Sequence, residues 1–248
     1  MNPQRILTII DREWTQTFTS WSAHATVWLH PLIVTGALLG FLRLLIFGSH
    51  DPQLYDRAMD YYLTFFAIMP LVNTTRMSAT GIIADKASRS LEPLLATPLT
   101  TSEFIFGKML AAMVPNVFIM WIAYGIFACV ANHWNVSQSY LFGSTVSPAC
   151  FCVMFFVSPL LTGLAANTAF FIASRKTDAQ QAANVSTEVS GLFMILPLIG
   201  VFLAQRHQHI IGTLSLLEVI GGLLAANAVF FLFSIKLFQR ETILFKWK

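Results

Sequence analysis

This sequence is short of charge. Only 11% of its 248 residues are Asp, Glu, Lys or Arg, and 56% are hydrophobic, against roughly 25% and 45–50% in soluble domains. A water-soluble core of this size needs a charged coat that 11% cannot supply, so lipid is the solvent for most of the chain. Cysteine is scarce too. Cys129, Cys150 and Cys152 form no CxxC pair, and two residues apart on a helix point to different sides, so structural thiols are expected rather than a metal or redox motif.

Other absences narrow the function. The first twenty residues carry Arg5, Asp11, Arg12 and Glu13 ahead of any apolar run. They lack the order of a cleavable signal peptide, and the mature chain is expected to start at Met1. There is no G-x-x-x-x-G-K-[ST] phosphate loop, and the loops are too short for an ATPase domain. No serine–histidine or paired-carboxylate constellation has catalytic spacing, so the chain by itself is not expected to be an enzyme. With a net charge of only +3, nucleic acid is not an expected partner.

What the sequence has is apolar length. A transmembrane helix needs about 20 mostly apolar residues, and six stretches qualify: Thr26 to Phe47, Tyr61 to Ala84, Phe104 to Ala131, Pro148 to Ser174, Val185 to Ala204 and Leu214 to Leu237. Pro115 removes a backbone donor within the third, where a kink is expected. Orientation follows the basic residues. With both termini cytoplasmic, the inner side collects Arg5, Arg12, Lys86, Arg89, Lys108, Arg175, Lys176, Lys236, Arg240, Lys246 and Lys248, leaving few outside. The outer connections are short, and no internal repeat marks an inverted-repeat transporter.

Ahead of the first span, Leu7, Ile10, Trp14, Phe18 and Trp21 recur at helical spacing, with Arg5, Arg12, Glu13 and Gln16 mostly elsewhere on the wheel. That pattern predicts an amphipathic helix over residues 1–22, lying at the inner membrane surface. Between spans two and three, residues 85–103 form the most patterned stretch outside the spans. Ser90 is placed to cap a short helix with Pro93 in its first turn, and Pro98 to stop it. Leu91, Leu94 and Leu95 give this helix an apolar face that needs a partner.

The run Ser90-Leu91-Glu92-Pro93-Leu94-Leu95-Ala96-Thr97-Pro98-Leu99, then Glu103 and Gly107-Lys108, resembles the signature between spans two and three of ABC-2 type permeases. Ser174 to Ala182 resembles that family's inner loop before span five, and Phe238-Gln239-Arg240-Glu241 its terminal Arg-Glu. Arg89, Ala87 and Pro93 depart from the pattern. The resemblance implies one ABC-2 transmembrane domain over 1–248: an all-α membrane protein with the interfacial helix at 1–22, six spans within 26–237, a coupling loop at 85–103 and a cytoplasmic tail at 238–248. It implies that Leu91, Glu92, Leu94, Leu95, Thr97, Pro98, Glu103 and Lys108 serve coupling to an ATPase subunit, with Glu103, Gly107 and Lys108 setting the start of span three.

By the same resemblance the chain is the permease subunit of an ATP-driven exporter in a bacterial or archaeal cytoplasmic membrane. It binds no cofactor itself, ATP and Mg belonging to the partner ATPase. Its other partners are a second permease copy or homologue, membrane lipid and an external accessory protein. One alternative keeps this architecture but makes the output mechanical, or the maturation of a metal or cofactor site, on an external partner. Another is an ATP-independent secondary transporter or channel, against which the coupling-loop signature speaks.

Polar residues within the spans suggest a pathway. Asn73, Arg76 and Thr80 share one face of span two, and Glu188 begins span five from the same side, so Arg76 and Glu188 either form an ion pair at the inner mouth or snorkel independently with no pathway role. Ser158, Thr162, Asn167 and Thr168 of span four are expected to bond neighbouring helices. His50, His133, His207 and His209 fall outside the membrane, but a metal site needs three or four converging ligands, and no metal is expected.

Overall fold

Helices are the only regular elements among the described residues of the computed structural model, which are 2–19, 21–48, 52–87, 100–134, 151–176, 188–195 and 213–237 with residues 181 and 184. Helix α1 (Pro3–Thr17) is capped by Asn2, whose side chain accepts from the Gln4 amide, with proline in the first turn. Helix α2 (Trp21–His24) runs through a π-helical turn, Ala25–Leu29, into α3 (His30–Gly48). Then come α4 (Pro52–Ala87), α5 (Thr101–Trp134), a second π turn at Val153–Val157 leading into α6 (Ser158–Ala173), and α7 (Thr213–Leu237). Residues 188–195 are helical as well.

Among the described residues, four stretches are long and apolar enough to cross a membrane: Ala25–Leu45, Thr101–Ala131, Val153–Ala173 and Leu217–Lys236. Helix α4, at 36 residues, is about 54 Å long, well beyond the Tyr61 to Ala84 expected from the sequence. The predicted fifth span lies partly outside the described residues, as do the short helix and apolar face expected at Leu91, Leu94 and Leu95.

Three buried clusters fix the helix directions. At one end, Leu39 and Leu42 of α3 meet Tyr62 and Phe66 of α4, Phe127 and Ala131 of α5, and Met154 ahead of α6. At the other, Ile82 and Ile83 of α4 meet Phe104 and Ile105 of α5 and Phe170 and Ala173 of α6, with Phe231 and Ile235 of α7 packed alongside. Helices α4, α5 and α6 therefore alternate in direction. Helix α7 runs parallel to α6: Asn227 Nδ2 donates to the Leu160 carbonyl at 2.9 Å and Ser234 Oγ to Asn167 Oδ1 at 3.0 Å, the same register at two levels. In the middle, Val189 and Phe193 join Ile68 and Leu71 of α4 and Leu161 and Leu164 of α6.

Proline sets a recurring device in this bundle. A proline in a helix has no N–H, so one carbonyl in the preceding turn loses its partner. In lipid that carbonyl must be satisfied from within the protein. Helix α5 is continuous through Pro115, whose missing amide would have bonded the Ala111 carbonyl; Trp14 Nε1 of α1 donates there at 2.9 Å. At both π turns the bond reaches back five residues, from His30 to Ala25 and from Ser158 to Val153. The next residue is a proline in each case, Pro31 and Pro159, leaving Thr26 and Met154 without that donor. Asn73 Nδ2 fills the first at 3.2 Å and Trp121 Nε1 the second at 3.0 Å. Three side chains from neighbouring helices thus complete three proline-broken ladders.

Candidate functional site

Among the described residues, the densest polar cluster lies where α1 crosses the end of α4 and the start of α5, the two helices that flank the patterned loop. Helix α5 begins with a reciprocal cap. The Glu103 amide donates to Thr100 Oγ1 at 3.2 Å, and the Thr100 amide donates to Glu103 Oε2 at 3.0 Å. The other carboxylate oxygen of Glu103 accepts from the Asn2 amide at 2.7 Å, and Arg5 lies 3.7 Å from Oε2. One side chain therefore caps α5 and holds the N-terminus of α1.

One turn further into α5, Lys108 is a second node. Its ammonium lies 2.7 Å from Asp85 of α4 and 2.7 Å from Glu13 of α1, and it donates to the Gly81 carbonyl at 3.2 Å. Arg12 reaches the other oxygen of Asp85 at 3.1 Å. The side chains of Lys108 and Asp85 are 4% and 3% exposed, so the pair is largely out of solvent and depends on each partner for its charge balance. Arg5, Arg12 and Lys108 balance Glu13, Asp85 and Glu103.

Two glycines let these groups come together. A Cβ at Gly107 would stand 3.0 Å from the Ile9 side chain, and one at Gly81 would stand 3.3 Å from Glu13 Oε2. Gly107 thus seats Ile9, the buried residue of α1, and Gly81 leaves room for the carboxylate. A shallow crevice beside the network is lined by Glu13, Thr17, Ser78 and Lys108.

Helix α1 meets the bundle through a face that carries charge. Ile9, Arg12 and Glu13 meet the bundle, while Leu7 is 63% exposed. Residues Gln4, Thr8, Asp11 and Thr15 are exposed on a third side. The charges Arg5, Arg12 and Glu13 therefore face the bundle, while Leu7 and Trp21 are exposed and half-buried Trp14 reaches α5.

The expected site residues fall into three groups. Glu103 and Lys108 are buried in contacts within the chain, whereas Leu91, Glu92, Leu94, Leu95, Thr97 and Pro98 lie outside the described residues. Asn73 is buried, with its amide on the Thr26 carbonyl. Arg76 and Thr80 are exposed, the latter returning its hydroxyl to the Arg76 carbonyl. Glu188 is exposed too, and no ion pair joins it to Arg76. The expected intrachain pair is thus not made: the two side chains are directed outward from the packed faces of their helices.

In α6, Ser158 donates to the Ala67 carbonyl, Asn167 accepts from Ser234, and Thr168 bonds its own backbone. His133 is exposed, while His50, His207 and His209 lie outside the described residues. Among the described residues no group of three His, Cys, Asp or Glu side chains is placed to hold a metal.

Arg12, Glu13 and Asp85 were not singled out from the sequence. Their partners stand far away in the chain, and a wheel of α1 alone assigns its charges to water. The Thr100-x-x-Glu103 cap was legible as a Thr-x-x-Glu box before an apolar run.

A family model described as ABC-2 type transporter matches residues 4–207. No curated protein matches the chain.

Proposed function

Because the chain belongs to the ABC-2 type transporter family, and is thereby an integral membrane permease, we propose that it is the membrane-spanning subunit of an ATP-driven exporter. Two copies form the substrate path, and each couples through residues 85–103 to a separate ATPase subunit that holds ATP and Mg. The observation that carries this reading is the ion network. It binds the end of α4, the start of α5 and α1 into one body at the two roots of the coupling loop. A loop that is to move two membrane helices together needs its roots locked to each other, since packed elements shift as rigid units.

The parallel course of α6 and α7 supports six crossings. Both end beside Phe104 and Ile105, so the chain between them must return to the far end, and residues 188–195 lie packed against α4 and α6 as that return requires. The end carrying α1 also carries Arg175, Lys176 and Lys236, and this clustering of basic residues supports a cytoplasmic location for it.

The test is to purify the chain with the ATPase it binds and compare Leu94→Asp and Leu95→Asp with the parent. Loss of both association and ATP-dependent transport is expected. Intact ATPase binding in both variants would remove the coupling assignment.

A further inference from the structure

Arginine is the one side chain that cannot shed its charge in a protein, and Arg76 sits on α4 about 14 Å along the axis from Asp85. It belongs to the outward line Phe65, Val72, Arg76, Thr80. Its guanidinium has no hydrogen bond or ion pair among the described residues. The opposite charge stands on a neighbouring element. On the helix at 188–195, Val189, Ser190 and Phe193 are buried, while Glu188, Leu192 and Ile195 are exposed. Gly191 lies on that outer side with open space above it, so another helix can approach closely there.

We propose that these two faces meet across two copies of the chain: Arg76 of each copy pairs with Glu188 of the other, and the pairs close the permease dimer. This rests on the two-copy reading above and adds the contact that makes it. Three observations point to a second copy as the occupant. The charges are opposite and unmatched among the described residues of one chain. Both lie on segments held in the same buried cluster through Leu71 and Val189. A two-fold contact is also reciprocal, so one cationic and one acidic face on the same subunit satisfy each other twice. An ionised Arg or Glu facing lipid costs several kcal/mol if central, less if it snorkels; exchange of partners neutralises both.

The experiment uses the full-length chain in lipid nanodiscs, with Cys129, Cys150 and Cys152 changed to serine. Arg76→Cys on one tagged copy and Glu188→Cys on a differently tagged copy are co-expressed and oxidised, so that only a bond between copies can link the two tags. A mixed-tag disulfide is expected. In the cysteine-containing chain, Arg76→Glu and Glu188→Arg should each lower the dimer fraction about tenfold, and the double exchange should restore it to within about twofold.

A particle mass of two copies with no mixed-tag link, or with additive losses in the double exchange, overturns the pairing and leaves the dimer standing. In that case Arg76 and Glu188 snorkel independently. A mass of one copy under every condition overturns the dimer and the pairing together.

Discussion

At the scale of single residues, Lys108 holds the most. It answers two carboxylates on two helices and a backbone carbonyl on one of them. Replacing it with methionine keeps much of the volume and removes the charge, leaving Arg12 as the cation of the network in contact with Asp85 and Glu13 with no cation of the network in contact. Removing one partner of a buried pair costs about 3–5 kcal/mol. Lys108→Met should therefore lower thermal stability by several degrees in detergent, and Asp85→Asn placed on top of it should recover part of the loss, because it takes away the stranded charge. A melting series over the two singles and the double checks this; a double variant worse than Lys108→Met by the full Asp85→Asn effect would show that the two groups act independently. The resemblance named Lys108 and Glu103 from the sequence. What it could not give was Glu13 and Asp85, whose approach depends on how α1 lies across the bundle.

At the scale of helices, α1 is the element whose pattern was most and least legible. Its helical course could be read from the spacing of Leu7, Ile10 and Trp14. Its seat could not, because amphipathic periodicity assigns polar residues to water by default, and here the polar side finds charged partners inside the protein instead. Trp14 joins this helix to α5 at the carbonyl that Pro115 leaves open. The proline was visible in the sequence as a break, but its completion by an indole from a helix 97 positions away in the chain was not. A double-mutant cycle tests the account. Trp14→Phe leaves a buried acceptor without a donor and should cost about 1–3 kcal/mol. In a Pro115→Ala background the restored amide can serve Ala111, and the same tryptophan change should cost less than half as much. Equal losses in the two backgrounds, measured by denaturant midpoint, would mean that packing of the indole outweighs its hydrogen bond.

At the scale of the whole molecule, the sequence announced a membrane protein through its lack of charge, and the number of apolar runs followed from span length alone. The sidedness is a separate matter, because it depends on which helix ends come together. The described packing shows which ends those are. The end of α4, the start of α5, the end of α6 and the end of α7 share one cluster, and α1 is tied to the first two. The residues Arg5, Arg12, Lys108, Arg175, Lys176 and Lys236 therefore lie on one side. Basic residues flanking spans stay on the cytoplasmic side because their translocation is disfavoured, so that end should face the cytoplasm and the end holding Tyr62 and Phe127 should face out. Thr15 of α1 and His133 at the far end of α5 are both exposed, which makes them suitable reporters. With the native cysteines replaced by serine, Thr15→Cys should react with a membrane-impermeant maleimide only in inside-out vesicles, and His133→Cys only in right-side-out ones. The opposite pattern would put six cations outside and the coupling loop beyond the reach of cellular ATP. Labelling of both sites from one side would break the link between α1 and the roots of that loop, on which the exporter assignment depends.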